Sequence, residues 1–222
     1  MKNTDELVVR IIPALRRVLV ECADKGITTV KQISPETLYE CVRSSLLNDD
    51  AVASGFLPQN CFHVSIGADG SKQYCIWHPS LYADVSYFDT DYPHFPLPRL
   101  VFGFSVFVGG KIGECRLGVV KDEPPRESTP MYIYPFSNVA GFNLCTGNNE
   151  LPVYKNRSTL ATLPDYLLRL PNNNDRYFAK NSKLNMQYRD LLEHLKKKDP
   201  AYYYTDVLIE SGNKLRDFIR NG

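Results

Sequence analysis

Leu100 to Val120 reads LVFGFSVFVGGKIGECRLGVV. Leu100 to Val108 is strongly apolar, Gly109-Gly110 interrupts it, and the apolar pattern resumes through Lys111 to Val120. Two such runs joined by a glycine pair describe two strands and a tight turn. Towards the N-terminus, Phe62-His63-Val64-Ser65-Ile66 and Gln73-Tyr74-Cys75-Ile76-Trp77 flank Gly67-Ala68-Asp69-Gly70 and give a second hairpin. Tyr92 to Pro98 is rich in proline and reads as a connection. Towards the C-terminus, Asp122 to Pro130 is a polar loop, and Met131-Tyr132-Ile133-Tyr134 is a short strand or extended segment.

Helical patterns lie on either side of this centre. Leu7 to Asp24 carries an apolar stripe that ends at Lys25-Gly26, with Pro13 marking a kink or a first turn. Ser34-Pro35-Glu36-Thr37 supplies a cap, a proline at the first helical position and an early acid, so Thr37 to Leu47 reads as a second helix. Asp165 to Leu170 is a short helical stretch and Asn185 to Lys198 an amphipathic one. Thr205 to Arg220 follows as a last helix, weakened at Gly212. Strands grouped between helices indicate an α+β class, not alternating βαβ units. The expected division is an N-terminal helical segment, residues 1–55, and an α+β domain with C-terminal helices, residues 56–222.

Charge and cysteine usage narrow the function. Lys plus Arg is 26 against 25 for Asp plus Glu, a balance that gives no reason to expect direct nucleic-acid binding. No apolar run reaches the roughly 18–20 residues needed to span a bilayer. The opening MKNTDELVVR does not read as a secretory signal. A cytoplasmic protein with no membrane association is expected. The 6 cysteines are scattered without a CxxC pair, so free thiols are expected. Cys61, His63, Cys75 and His78 are zinc-ligand types, but strand alternation sends Cys75 and His78 to opposite faces. Neither a metal nor another cofactor is expected.

Tyr134-Pro135-Phe136-Ser137-Asn138-Val139-Ala140-Gly141-Phe142-Asn143-Leu144-Cys145-Thr146-Gly147 is dense in residues that punctuate backbone and holds one strong nucleophile, Cys145. A cysteine opening a loop of small residues exposes its thiol, and nearby backbone N–H groups favour the reactive thiolate. The side-chain amide of Asn138 is a donor for a developing oxyanion. No histidine is near in sequence; His63, His78, His94 and His194 are all distant, and His94 alone lies in a loop with reach towards the segment.

This segment resembles the active-site stretch of ubiquitin-conjugating enzymes, in which a His-Pro-Asn triplet precedes a glycine, an apolar residue and the thioester-forming cysteine. Pro135 and Asn138-Val139 echo the triplet, and Gly141, Leu144 and Cys145 echo the approach to the nucleophile. The similarity is closer to the PRTRC system protein B family, a divergent prokaryotic group. It rests on Pro98 to Phe102, on Thr129 to Tyr132, and on Asn138-Val139 running to Leu144-Cys145-Thr146-Gly147. It covers about Leu57 to Leu151 well and the C-terminal helices loosely. The resemblance implies a UBC-like fold, an antiparallel meander of about four strands flanked by helices. It implies a ThiF-type activating enzyme and a small ubiquitin-like protein as partners, encoded on a plasmid or another mobile element. Cys145 would carry the acyl group, with Asn138 at the loop and oxyanion and Thr146 assisting by hydrogen bonding. The chain departs from the pattern in four places. The triplet's histidine is absent, with Tyr134 or Phe136 near its place; proline and asparagine are not adjacent; Asn138 lies closer to the cysteine; and Thr146-Gly147-Asn148-Asn149 replaces the acidic residue that often follows it. Glu150 would stand in for that acid only if the loop folds back. A non-catalytic UBC-like scaffold that binds a ubiquitin-like partner, and an unrelated α+β module, are the other two readings of the chain.

Overall fold

The computed structural model describes residues 7–15, 17–24, 27–46, 57–67, 69–121 and 123–220. Contacts divide the chain into two compact units, residues 1–55 and 56–222. The first unit holds β1 (Leu7–Ile12), a 3-10 turn at Pro13–Leu15, β2 (Arg17–Asp24), β3 (Ile27–Ile33) and α1 (Pro35–Leu46). The strands form an antiparallel meander in the order β1-β2-β3. This corrects the helix expected over Leu7 to Asp24. Val8, Val9, Ile11 and Ile12 are β-branched and prefer strand, and Pro13 ends the first run where a turn is needed. A helical stripe and a strand are hard to tell apart in runs this short. Arg10 reaches across the ribbon to Glu21 at 3.3 Å. The second helix starts as expected: the Ser34 hydroxyl accepts from the Thr37 N–H at 3.1 Å.

The second unit is built on one eight-stranded sheet, larger than the four strands expected. Its strands are β4 (Cys61–Ile66), β5 (Lys72–Trp77), β8 (Leu100–Val106), β9 (Ile112–Val120), β10 (Pro130–Tyr132), β11 (Val139–Ala140), β12 (Asn143–Leu144) and β13 (Glu210–Lys214). Neighbours are antiparallel in the order β4-β5-β8-β9. Beyond β9 the edge is shared: β10 takes Val119 and Val120, and β12 takes Arg116. β13 pairs with β10. Between β5 and β8 the chain leaves the sheet as a separate ribbon, β6 (Tyr82–Tyr87) and β7 (Thr90–Pro96). The Tyr92 to Pro98 segment, expected as a connection, is therefore mostly strand. A two-stranded ribbon leaves one edge of each strand unpaired, so Pro93 and Pro96 are tolerated there.

Alternation sorts the side chains into two clusters. Tyr74, Ile76, Leu100, Phe102, Phe104, Leu117 and Val119 join a large core with α2 (Arg157–Arg169) and α3 (Tyr188–Leu195). Cys75, Val101, Val120 and Met131 face a smaller one with Leu215 and Phe218 of α4 (Leu215–Arg220). α2 starts earlier than expected, because Asn156 caps it by accepting from the Ser158 N–H at 3.0 Å. Its stripe of Leu160, Leu163, Leu167 and Leu168 then drives burial, with Pro164 inside the helix. Thr205 to Arg220 is not one helix but a π turn, β13 and α4 in succession. Gly212 adopts φ 78, which breaks the helix, and β13 gains a ladder partner in β10.

Gly110, in the β8–β9 turn, has φ 85, and a Cβ there would sit 2.4 Å from the Tyr154 carbonyl oxygen. That carbonyl belongs to a residue whose N–H donates back to Gly110 at 2.7 Å. Gly110→Ala is expected to destabilise the protein by about 2–4 kcal/mol through left-handed strain plus overpacking. The check is a urea midpoint lowered at unchanged slope; an unchanged midpoint would refute the clash.

Candidate functional site

Phe136 anchors the approach to Cys145. It is buried and meets Phe95 at 5.9 Å, Tyr134 at 5.4 Å and Tyr203 at 6.2 Å between ring centres. Burial pushes the Tyr134 and Tyr203 phenols well above their ordinary range. Ser137 is 1% exposed. Asn138 then takes φ 65, the left-handed conformation that asparagine tolerates better than most residues. From there the chain runs into a tight hairpin: Val139 pairs with Leu144 and Ala140 with Asn143. Gly141 and Phe142 form the turn. Gly141 has φ 61 and Phe142 is not in the positive-φ region, the pattern of a type II′ turn with glycine first. Phe142 packs edge-on against Phe218 at 5.2 Å, and its carbonyl accepts from the Leu117 N–H at 2.8 Å. The tip is thus tied to β9 and α4.

The ladder continues one step past the strands. The Cys145 N–H donates to the Asn138 carbonyl at 2.7 Å. Asn138 and Cys145 therefore stand opposite one another at the open end of the hairpin. Both line one narrow cavity with Tyr134, Ser137, Asn172 and Tyr188, whose free volume is about 20 Å³, room for about one water. Thr146 does not line it; its carbonyl accepts from the Asn149 backbone N–H at 3.2 Å and side-chain amide at 2.8 Å. None of the histidines lines it either. His94 stacks on Tyr82 at 4.3 Å. His78 is buried, its ring nitrogens facing the Ser80 carbonyl at 2.6 Å and Asp165 at 3.0 Å. Glu150 lines a different cleft, beside Asp165 and Arg169, and its carbonyl accepts from the Tyr166 hydroxyl at 2.8 Å. Among the described residues no three His, Cys, Asp or Glu side chains gather as metal ligands.

Asn172, in the Asn172-Asn173-Asn174 stretch that follows α2, joins the site although no motif in the sequence marks it. Its Oδ1 accepts from the Ser137 hydroxyl and from the Asn138 amide, each at 3.2 Å. No pattern in the sequence links positions so far apart.

The thiols separate by environment. Cys145 is exposed, as is Cys41. Cys75 and Cys115 are buried, and burial pushes them up to about 11 and about 12. Their thiolate fraction at pH 8 is then roughly a thousandth or less. Iodoacetamide at pH 8 is expected to label Cys145 in the folded protein and to leave Cys75 and Cys115 unmodified until denaturant is added. Mass spectrometry of the peptides reads the result, and labelling of Cys115 before Cys145 would contradict it.

Fold and hairpin together present a solvent-accessible thiol on a backbone-defined turn. Residues 38–209 match the family model described as Prokaryotic E2 family D, well over half of the 222 residues, and the chain belongs to that family. It is thus a ubiquitin-conjugating-like protein of the prokaryotic E2-like group. No curated protein and no solved structure matches the chain. Among the described residues no helix is long and apolar enough to cross a membrane.

Proposed function

We propose that this protein is a UBC-like acyl carrier of the PRTRC system protein B type, working in the cytoplasm with a ThiF-type activating enzyme and a small ubiquitin-like protein. β4, β5, β8 and β9 serve as the UBC-like meander, and β6–β7, β10 and β13 are additions to it. In the first step the Cys145 thiolate attacks the modifier's C-terminal carbonyl carbon, held as a thioester on the activating enzyme. A new S–C bond forms at Cys145, the old one breaks, and the activating enzyme's thiolate leaves. In the second step a target amine attacks the same carbon, loses a proton, and releases Cys145. Asn138 donates to the carbonyl oxygen as negative charge develops on it. Thr146 assists only if its turn rearranges towards the cavity.

The observation that carries this reading is the pairing of Cys145 with Asn138 across the hairpin, with the Cys145 thiol exposed. One feature favours the non-catalytic scaffold instead: no histidine lines the cavity. The two readings separate when the protein is mixed with the activating enzyme, the ubiquitin-like protein and ATP. A thiol-sensitive adduct absent from Cys145→Ala is expected. A charged activating enzyme with no adduct on wild type, together with equal modifier binding by wild type and Cys145→Ala, would leave the scaffold.

A further inference from the structure

Asn172 uses every hydrogen-bonding group it has. Its Nδ2 donates to the Ser86 carbonyl at 3.0 Å and to the Leu170 carbonyl at 3.4 Å. Its backbone N–H donates to Ser86, and its carbonyl accepts from the Phe88 N–H, both at 2.9 Å. Two carbonyls on one side leave the amide a single orientation, with Oδ1 turned towards Ser137 and Asn138. The Asn138 amide must then present an N–H to it, which sets the plane of the Asn138 side chain. The Asn138 N–H donates to the Asp175 carbonyl at 2.9 Å, so the same loop holds its backbone as well.

We propose that Asn172 is a positioning residue for acyl transfer: it orients the Asn138 amide so that its remaining N–H faces the carbonyl oxygen on Cys145. This rests on the reading of Cys145 as an acyl carrier. The β6–β7 ribbon gains a role from it, because Ser86 and Phe88 are what hold Asn172 in place.

The probe is a glycylglycine thioester of 2-mercaptoethanesulfonate, which needs no partner protein. Its acyl carbon exchanges the mercaptoethanesulfonate sulfur for that of Cys145, with release of the small thiol. Acylation of Cys145 is expected to slow 10-fold or more in Asn172→Ala and in Asn138→Ala, and no further in the double variant. In Asn172→Ala, alkylation of Cys145 by iodoacetamide, which passes through no oxyanion, should stay within twofold of wild type. Losses that multiply in the double variant, or alkylation falling in step with acylation, would make Asn172 merely structural and overturn the proposal. Should Asn172→Ala fold poorly, Asn172→Asp keeps the acceptor and loses the donors to Ser86 and Leu170. In that variant the ¹⁵N–¹H signal of the Asn138 side-chain amide is expected to shift or broaden, and an unchanged signal overturns the proposal whatever the acyl chemistry. If wild type is alkylated at Cys145 but never acylated by the probe, while that amide signal still responds to Asn172, the acyl-carrier reading falls and the positioning role falls with it.

Discussion

Cys145→Ser is expected to replace a thiol-labile adduct with a thiol-resistant one, formed roughly a hundredfold or more slowly. The side chain sits at the mouth of the hairpin and is exposed, so serine introduces no packing penalty and the effect is chemical. A serine hydroxyl without a base beside it is a poor nucleophile, and no histidine lines the cavity to act as one. Once formed, an oxyester resists attack by small thiols. Gel analysis with and without reductant distinguishes the outcomes. A reductant-sensitive band in the Cys145→Ser protein would place the acyl group on another cysteine.

Arg116→Ala is expected to lower stability by about 3–4 kcal/mol, on the order of 10 °C in melting temperature for a unit of this size. Arg116 is 1% exposed, and among the described residues no carboxylate lies within ion-pair distance of its guanidinium. Instead it donates to the Phe218 carbonyl and, at 2.9 Å, to Gln73 Oε1, with Phe218's ring centre 5.0 Å away. Gly103 leaves room for it, since a Cβ there would lie 2.9 Å from Nε. Truncation strands both acceptors and opens a cavity beneath α4. Burial already pulls the guanidinium below its ordinary range, a sign that the charge itself is costly here. Arg116→Met, which keeps the shape and drops the charge, is therefore expected to lose less than half as much. Thermal melts of the two variants decide the matter. A loss below about 1 kcal/mol in Arg116→Ala would show that α4 stays docked without it.

Much of the second unit was legible from local chemistry. The β4–β5 and β8–β9 hairpins announce themselves by apolar runs around glycine turns, and α3 by Leu191, Leu192 and Leu195 on one face. What escaped depends on distant partners. β13 reads as a faulty helix until β10 is beside it, and β7 reads as a linker until β6 supplies the ladder. Leu7 to Asp24 fits a helix or two strands equally well by pattern, and tertiary pairing chose strands. The same holds at the site. Cys145 and Asn138 stood out by residue type and by the glycine between them, but their apposition is a product of the turn. Asn172 was invisible because its meaning lies entirely in Ser86, Ser137 and Asn138.

The two-residue turn at Gly141-Phe142 also makes the Asn138–Cys145 relation a matter of counting. One residue inserted between them would rotate the thiol to the other side of the ribbon, since side chains alternate with a period of two. Paired insertions, one on each arm, would preserve it. The stretch from Thr146 to Asn156 has no such parity to keep, because it is held at separate points, the Thr146–Asn149 turn and the Tyr154–Gly110 hydrogen bond, and not by a ladder. In diverged chains of this kind, the interval from asparagine to cysteine should hold constant or change in even steps, while the interval from cysteine to the position of Tyr154 changes by odd and even steps alike.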